Sequence, residues 1–165
     1  MIDSRELSQR AEIVDALLSY TRGIDRLDKE SVIAAFHPGA TLNNYGSDPM
    51  PIEDFVEYAL PSLEQRYSAT QHRVSNIRIE INEDQALVES YVLAYHVELG
   101  ESFKRLHTFN GRYIDTFSLS QGHWKISERF LRNDWSKVED ISDEMAGSSV
   151  WVRSSRDTDD PIYNF

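Results

Sequence analysis

An aspartate sits on an apolar helical stripe near the start of the chain. Asp25 lies close to the end of the helix that the pattern from Ser4 to Arg22 predicts. On a helical wheel it falls between Val14 and Leu18, with Leu17, Thr21 and Ile24 close by. A carboxylate taken out of water needs a partner, or its pKa rises until it is neutral. Either outcome serves proton-transfer chemistry. The competing reading is that the helix frays by Gly23 and that Asp25 is a cap facing solvent. The groups that titrate nearest neutrality are the histidines His37, His72, His96, His107 and His123. They are scattered, with no His-x-His or HExxH spacing, so no metal site is expected.

The chain of 165 residues is of a length for one domain, and 40% hydrophobic with 11% aromatic residues is enough for a sizeable core. A formal net charge of −11 argues against a nucleic-acid partner and against an anionic membrane surface. No apolar run is long enough for a transmembrane helix. The opening Met-Ile-Asp-Ser-Arg-Glu-Leu has neither a basic start nor an apolar core, so no secretory signal is expected and a cytoplasmic protein is the default. Cysteine is absent, which excludes disulfides, thiolate nucleophiles and Cys-ligated metals. There is no GxGxxG, no GxxxxGK followed by Ser or Thr, and no GxSxG. No cofactor is expected.

The elements that must position Asp25 follow from the patterning. Asp3 and Glu6 resemble a capping box at the start of the first helix. A second, short helix is predicted from Lys29 to Phe36, with Asp28 as its N-cap and His37-Pro38-Gly39 as its stop. A short strand from Ala40 to Tyr45 and a loop from Gly46 to Pro51 come next. A third helix runs from Ile52 to about Arg66, with a kink or break expected at Pro61.

The second half alternates instead. Strands are predicted over Thr70 to Ile81, Ala86 to Leu99, Phe103 to Leu119 and His123 to Trp135. Turns separate them at Asn82-Glu83-Asp84, Gly100-Glu101-Ser102 and Ser120-Gln121-Gly122, and Gly111 marks a bulge. Helices followed by an antiparallel meander indicate an α+β fold. Long strands twist, so such a sheet curls around the helices and leaves a cone-shaped cavity. Residues 1–136 form this domain. Residues 137–165 form a polar, acidic C-terminal tail with little regular structure.

This order of elements resembles the SnoaL-like branch of the nuclear transport factor 2-like superfamily, the cystatin-like α+β roll. The likeness is carried by IVDALLSYTRGIDRLDKESVIAAF (13–36), TQHRVSNIRIEINEDQALVESY (70–91), GRYID (111–115), GHWKISERFLRNDW (122–135) and the tail segment RSSRDTDDPIY. It implies N-terminal helices packed in a strongly curved, mostly antiparallel sheet. The functional pattern is similar to that of scytalone dehydratase, bile-acid dehydratase and hexachlorocyclohexane dehydrochlorinase. These pair an aspartate at the end of the first helix with a histidine at the start of the second strand.

That resemblance puts Asp25 and His72 in the matching places, with Tyr20 where the bile-acid enzyme has a tyrosine. The lysine that the dehydrochlorinase uses at that position is absent here. Its arginine near the last turn falls near Ser120, which speaks against halide elimination. His72 would act as the base, Asp25 would fix its tautomer, and Tyr20 would donate a proton to a carbonyl or leaving oxygen. Tyr20 could equally be an amphipathic core residue, and His72 a strand-edge one.

His96 is the nearest candidate for a further group on the middle strand, or it faces outward. Leu42, Leu63, Tyr67, Tyr95 and Phe109 are candidates to line an apolar pocket, though core packing explains each as well. Arg112 and Arg129 would bind an acidic substrate group or serve only as ion pairs.

The expected function is a cofactor-independent lyase or isomerase acting on a small apolar cyclic molecule. The alternatives are a non-catalytic ligand-binding or assembly module, and a dioxygenase β-subunit-like partner. A homo-oligomer is expected, with a trimer placed slightly ahead of a dimer.

Overall fold

The computed structural model describes residues 3–46, 48–100, 104–141 and 148–163. The first helix, α1, spans Ser4–Arg26 and is capped by the Asp3 carboxylate, which accepts from the Glu6 N–H at 2.8 Å. It passes straight through Gly23, which lies in the helix rather than after it. A Cβ at Gly23 would stand 2.7 Å from a Val32 methyl and 2.8 Å from the Val32 nitrogen. The glycine is thus explained by the close approach of the next helix, α2 (Lys29–Ala34). The chain turns between the two at Leu27, which adopts a left-handed conformation with φ 57°. The extra turn of α1 carries Asp25.

Helix α2 is shorter than the pattern predicts, because Phe36 already opens a strand, β1 (Phe36–Asn43). Gly39, at φ 73°, lets the chain bend within that strand instead of stopping before it. A two-residue strand, β2 (Met50–Pro51), leads into α3 (Ile52–Arg66). Pro61 does not break α3. It lies on the solvent side, where water can take up the carbonyl left without an N–H donor.

Four long strands complete the chain: β3 (Tyr67–Asn82), β4 (Gln85–Glu98), β5 (Arg105–Ser120) and β6 (His123–Asp140). The expected turn residues Glu101 and Ser102, and Phe103 after them, lie outside the described residues. The sheet order is β2-β1-β6-β5-β4-β3, antiparallel except where β1 meets β6 in parallel. The sheet is curved and unclosed, an α+β roll around the helices.

The register shifts beside Gly111, as expected there, but the additional residue is Asp134 on the neighbouring strand. A Cβ at Gly111 would stand 2.0 Å from the Arg132 carbonyl, so only glycine fits. Strand β6 continues to Asp140, and the described residues beyond it include short 3-10 turns at Ser148–Val150 and Pro161–Tyr163.

The core lies between α1, α3 and the concave face, built from residues such as Ile13, Leu17, Ile24, Val32, Leu42, Val56, Val88, Phe117 and Ile126. Leu18 is 49% exposed, so Asp25 sits at the edge of the buried face of α1 rather than at its centre. That edge is the one turned toward β3.

Candidate active site

The last turn of α1 meets the start of β3. Asp25 Oδ1 lies 2.7 Å from His72 Nδ1, and Asp25 Oδ2 accepts from the His72 backbone N–H, also at 2.7 Å. Both side chains are largely buried, His72 at 10% exposure and Asp25 at 19%. Two contacts from one carboxylate fix the ring as well as pairing it. With Asp25 ionised, Nδ1 carries the hydrogen, so Nε2 is the ring nitrogen with a free lone pair. Burial works to raise the Asp25 carboxyl, but the hydrogen bonds and charge of His72, with a hydrogen bond from Thr70, outweigh it. The pKa falls below the ordinary value.

His72 opens into a cavity of about 290 Å³ between α1, α3 and the concave face of the sheet. Tyr20 and Ile24 contribute from α1, and Phe55, Ala59, Leu63 and Arg66 from α3. Tyr67, Ala94, His96, Phe109, Tyr113 and Leu131 come from the sheet, and Tyr45 from the loop after β1. The hollow is mainly apolar, with hydroxyls and imidazoles at intervals.

The Tyr20 and Tyr45 hydroxyls lie 3.3 Å apart. Burial raises the pKa of Tyr20, against the pull of Arg129, and raises those of Tyr45 and Tyr113 well above the usual phenol value. All three stay protonated and able to donate at neutral pH.

His96 lies beside the dyad, its ring centroid 5.2 Å from that of His72 and 5.0 Å from that of Tyr67. Burial, then repulsion from His72, lower its pKa to about 4. It is therefore neutral wherever the protein is folded near pH 7. The unfolded chain binds a proton near pH 6.5 that the folded protein refuses until about pH 4. Stability is untouched above that window and falls as pH drops through it, by at most about 3 kcal/mol. Replacing His96 by Gln should flatten this fall. Urea titrations at about pH 7 and about pH 4.5 check it, and equal acid losses in variant and wild type would contradict it.

Of the expected lining residues, Leu63, Tyr67, His96 and Phe109 reach the cavity. Four do not. Leu42 is packed in the core with 1% exposure. Tyr95 lies on the opposite face of β4, under the Arg73 guanidinium at 5.4 Å. Neighbours along a strand point to opposite faces, so Tyr95 and His96 cannot share one hollow. Arg112, likewise on the far face, pairs with Glu89 at 2.8 Å and Asp134 at 3.5 Å. Arg129 points inward but lies beneath the cavity, completely buried and bound to Asp115 by two contacts of 2.7 Å. Its guanidinium is 4.3 Å from the Tyr20 ring centroid and 4.0 Å from that of Tyr113. It is a structural ion pair supporting Tyr20 rather than a free cation for a substrate.

Tyr45, Tyr113, Phe55 and Arg66 were not singled out from the sequence. Their side-chain directions depend on how the helices cross the sheet, which no local pattern encodes.

A larger depression, of about 1230 Å³, lies on the other face of β3–β6. It is an open groove bounded by the strands and by residues 154–157, and Asp25 reaches its edge. His72 does not line it, so the smaller hollow is the candidate site.

The model of the SnoaL-like domain matches residues 5–130. The protein belongs to the SnoaL-like family. Solved structures with the same fold include a protein assigned as a scytalone dehydratase from Novosphingobium aromaticivorans, at 25% identity and TM-score 0.69, covering 79% of this chain and 87% of that one. A type 2 hexachlorocyclohexane dehydrochlorinase aligns at 20% identity and TM-score 0.72, over 86% of this chain and 96% of that one. The Kfla4162 protein of Kribbella flavida aligns at 20% identity and TM-score 0.70, over 79% and 93%. A comparison with curated proteins returns no match. Among the described residues of this SnoaL-like protein, no helix is long and apolar enough to cross a membrane.

Proposed function

We propose that this SnoaL-like protein is a cofactor-independent lyase or isomerase for a small, largely apolar cyclic molecule, with Asp25 and His72 as its catalytic dyad. The observation that carries the reading is the double contact of the Asp25 carboxylate with the ring and backbone of His72 at the wall of a hollow. His72 Nε2 takes a proton from a carbon next to an activating group, and Asp25 stabilises the imidazolium that forms. The electron pair of the broken C–H bond becomes a double bond, and the leaving group departs from the adjacent carbon. A hydroxyl of the Tyr20–Tyr45 pair donates a hydrogen bond to the leaving oxygen or to a carbonyl. In a dehydration the imidazolium passes this proton to the departing hydroxyl, which leaves as water, and in an isomerisation it returns the proton to a different carbon.

The relatives named as a dehydratase and a dehydrochlorinase support the elimination branch. A cavity of about 290 Å³ supports a small ring system as substrate. The test is a panel of hydroxylated and halogenated alicyclic compounds and ring ketones, incubated with the purified protein alone. Loss of water or halide, or migration of a double bond, is the expected result. Binding of panel members without any conversion would favour a ligand-binding module instead.

A further inference from the structure

The cavity beside the dyad has a mouth that the dyad does not explain. Tyr58, Ser62 and Arg66 are spaced four apart, so they form one stripe along α3, beside the inner stripe of Phe55, Ala59 and Leu63. Tyr58 is 70% exposed and Arg66 is exposed as well, which makes their stripe the rim of the hollow. A row of flat groups leads inward from it. The Arg66 guanidinium lies 5.3 Å from the Tyr67 ring centroid, the Tyr67 ring 5.0 Å from that of His96, and the His96 ring 5.2 Å from that of His72. Arg66 and the dyad stand at opposite ends of this row.

The charges around the hollow are one-sided. The chain has 28 acidic residues and a net charge of −11, yet among the described residues no Asp or Glu lines this cavity. Arg66 is the lining residue with a permanent charge, and it enters no ion pair among the described residues. Glu98, brought close by the Leu99 N–H bond to the Arg66 carbonyl, pairs instead with Arg105 and His107. Arg112 and Arg129, the cations expected to take an acidic substrate group, are already bound to carboxylates. A cation in the last turn of a helix also offsets the helix dipole. That accounts for an arginine at the end of α3, but not for its place on the hollow without an acidic partner.

A guanidinium fork matches a carboxylate in two parallel contacts, and one guanidinium without a second cation matches a single negative charge. Asp25 lies directly behind His72, so its charge turns an anionic end away from the dyad and toward the mouth. We propose that Arg66 binds a carboxylate on the substrate, which is therefore a small ring acid with its carboxylate at the mouth and its reacting carbon at His72. The inference rests on the reading of the hollow as a substrate site given above.

The test is calorimetric binding of two unreactive probes, cyclohexanecarboxylate and the uncharged cyclohexanecarboxamide, to the full-length protein near neutral pH. The acid should bind about tenfold more tightly than the amide, the scale of a hydrogen-bonded charge contact. Arg66→Gln should abolish that preference with the amide's affinity unchanged, and Arg66→Lys should keep part of it. Arg156→Gln, in the outer groove, should leave the preference intact. Adding the acid should shift the imidazole NMR signals of His72 and His96. Equal affinities in wild type, no binding of the acid, a preference that survives Arg66→Gln, or unmoved signals from both imidazoles would overturn the proposal. A role confined to the helix end predicts a lower melting temperature for Arg66→Gln with the preference retained. Should Arg66→Gln fail to fold, the wild-type comparison and Arg66→Lys decide. Neither probe carries a leaving group, so this failure is distinct from failure of the lyase reading, which the substrate panel reports.

Discussion

Replacing His72 by Ala is expected to lower kcat by a factor of about 10² to 10⁴ while the fold persists. The magnitude follows from what general-base catalysis contributes when one group both removes and relays a proton. The ring is not needed for the core, since it makes its hydrogen bond to Asp25 at the cavity wall and retains 10% exposure. The backbone N–H of residue 72 still donates to Asp25 in the variant, so the carboxylate keeps one of its partners. Turnover kinetics beside a thermal melt check this. A variant with wild-type kcat would remove His72 from the mechanism.

The second large effect is on stability. Asp115 and Arg129 are both completely buried, joined by two contacts of 2.7 Å, and the guanidinium lies against the rings of Tyr20 and Tyr113. Arg129 Nη1 has no hydrogen-bond partner among the described residues and sits among aromatic rings. Removing one partner strands a charge in a dry site. Asp115→Asn or Arg129→Met should therefore cost about 3 to 5 kcal/mol, because the remaining ion keeps its desolvation penalty without its attraction. The midpoint of thermal unfolding should drop on the order of 10 °C. The double replacement Asp115→Leu with Arg129→Met should recover most of that loss, since neither charge is left behind. A single variant that melts within a degree or two of wild type, as a rough bound, would show that the pair is not held as described.

The α+β roll was legible because its signals are periodic: helical stripes in the first part, alternation and turn residues in the second. The errors were local and had physical causes. Gly23 reads as a helix end, but it serves the packing of Val32 against α1, and the helix continues. Pro61 reads as a break, but it faces solvent, where an unpaired carbonyl costs little.

At the site, Asp25 was visible as an acid on an apolar stripe, whereas His72 needed the family resemblance to be chosen among the five histidines. Tyr95 and His96 are both pocket candidates on sequence, but strand alternation separates adjacent residues and only His96 lines the cavity. Arg129 reads as a substrate-binding cation or as an ion pair, and its partner Asp115 lies on the neighbouring strand at a register the sequence does not state.

The most direct measurement is a double-mutant cycle on kcat with Asp25→Asn, His72→Ala and the pair combined, using a substrate found in the panel. Two groups that act as one unit lose their effect together. The combined variant should be no slower than His72→Ala alone. Losses that multiply, with each replacement acting independently, would contradict a dyad in which the carboxylate works through the imidazole.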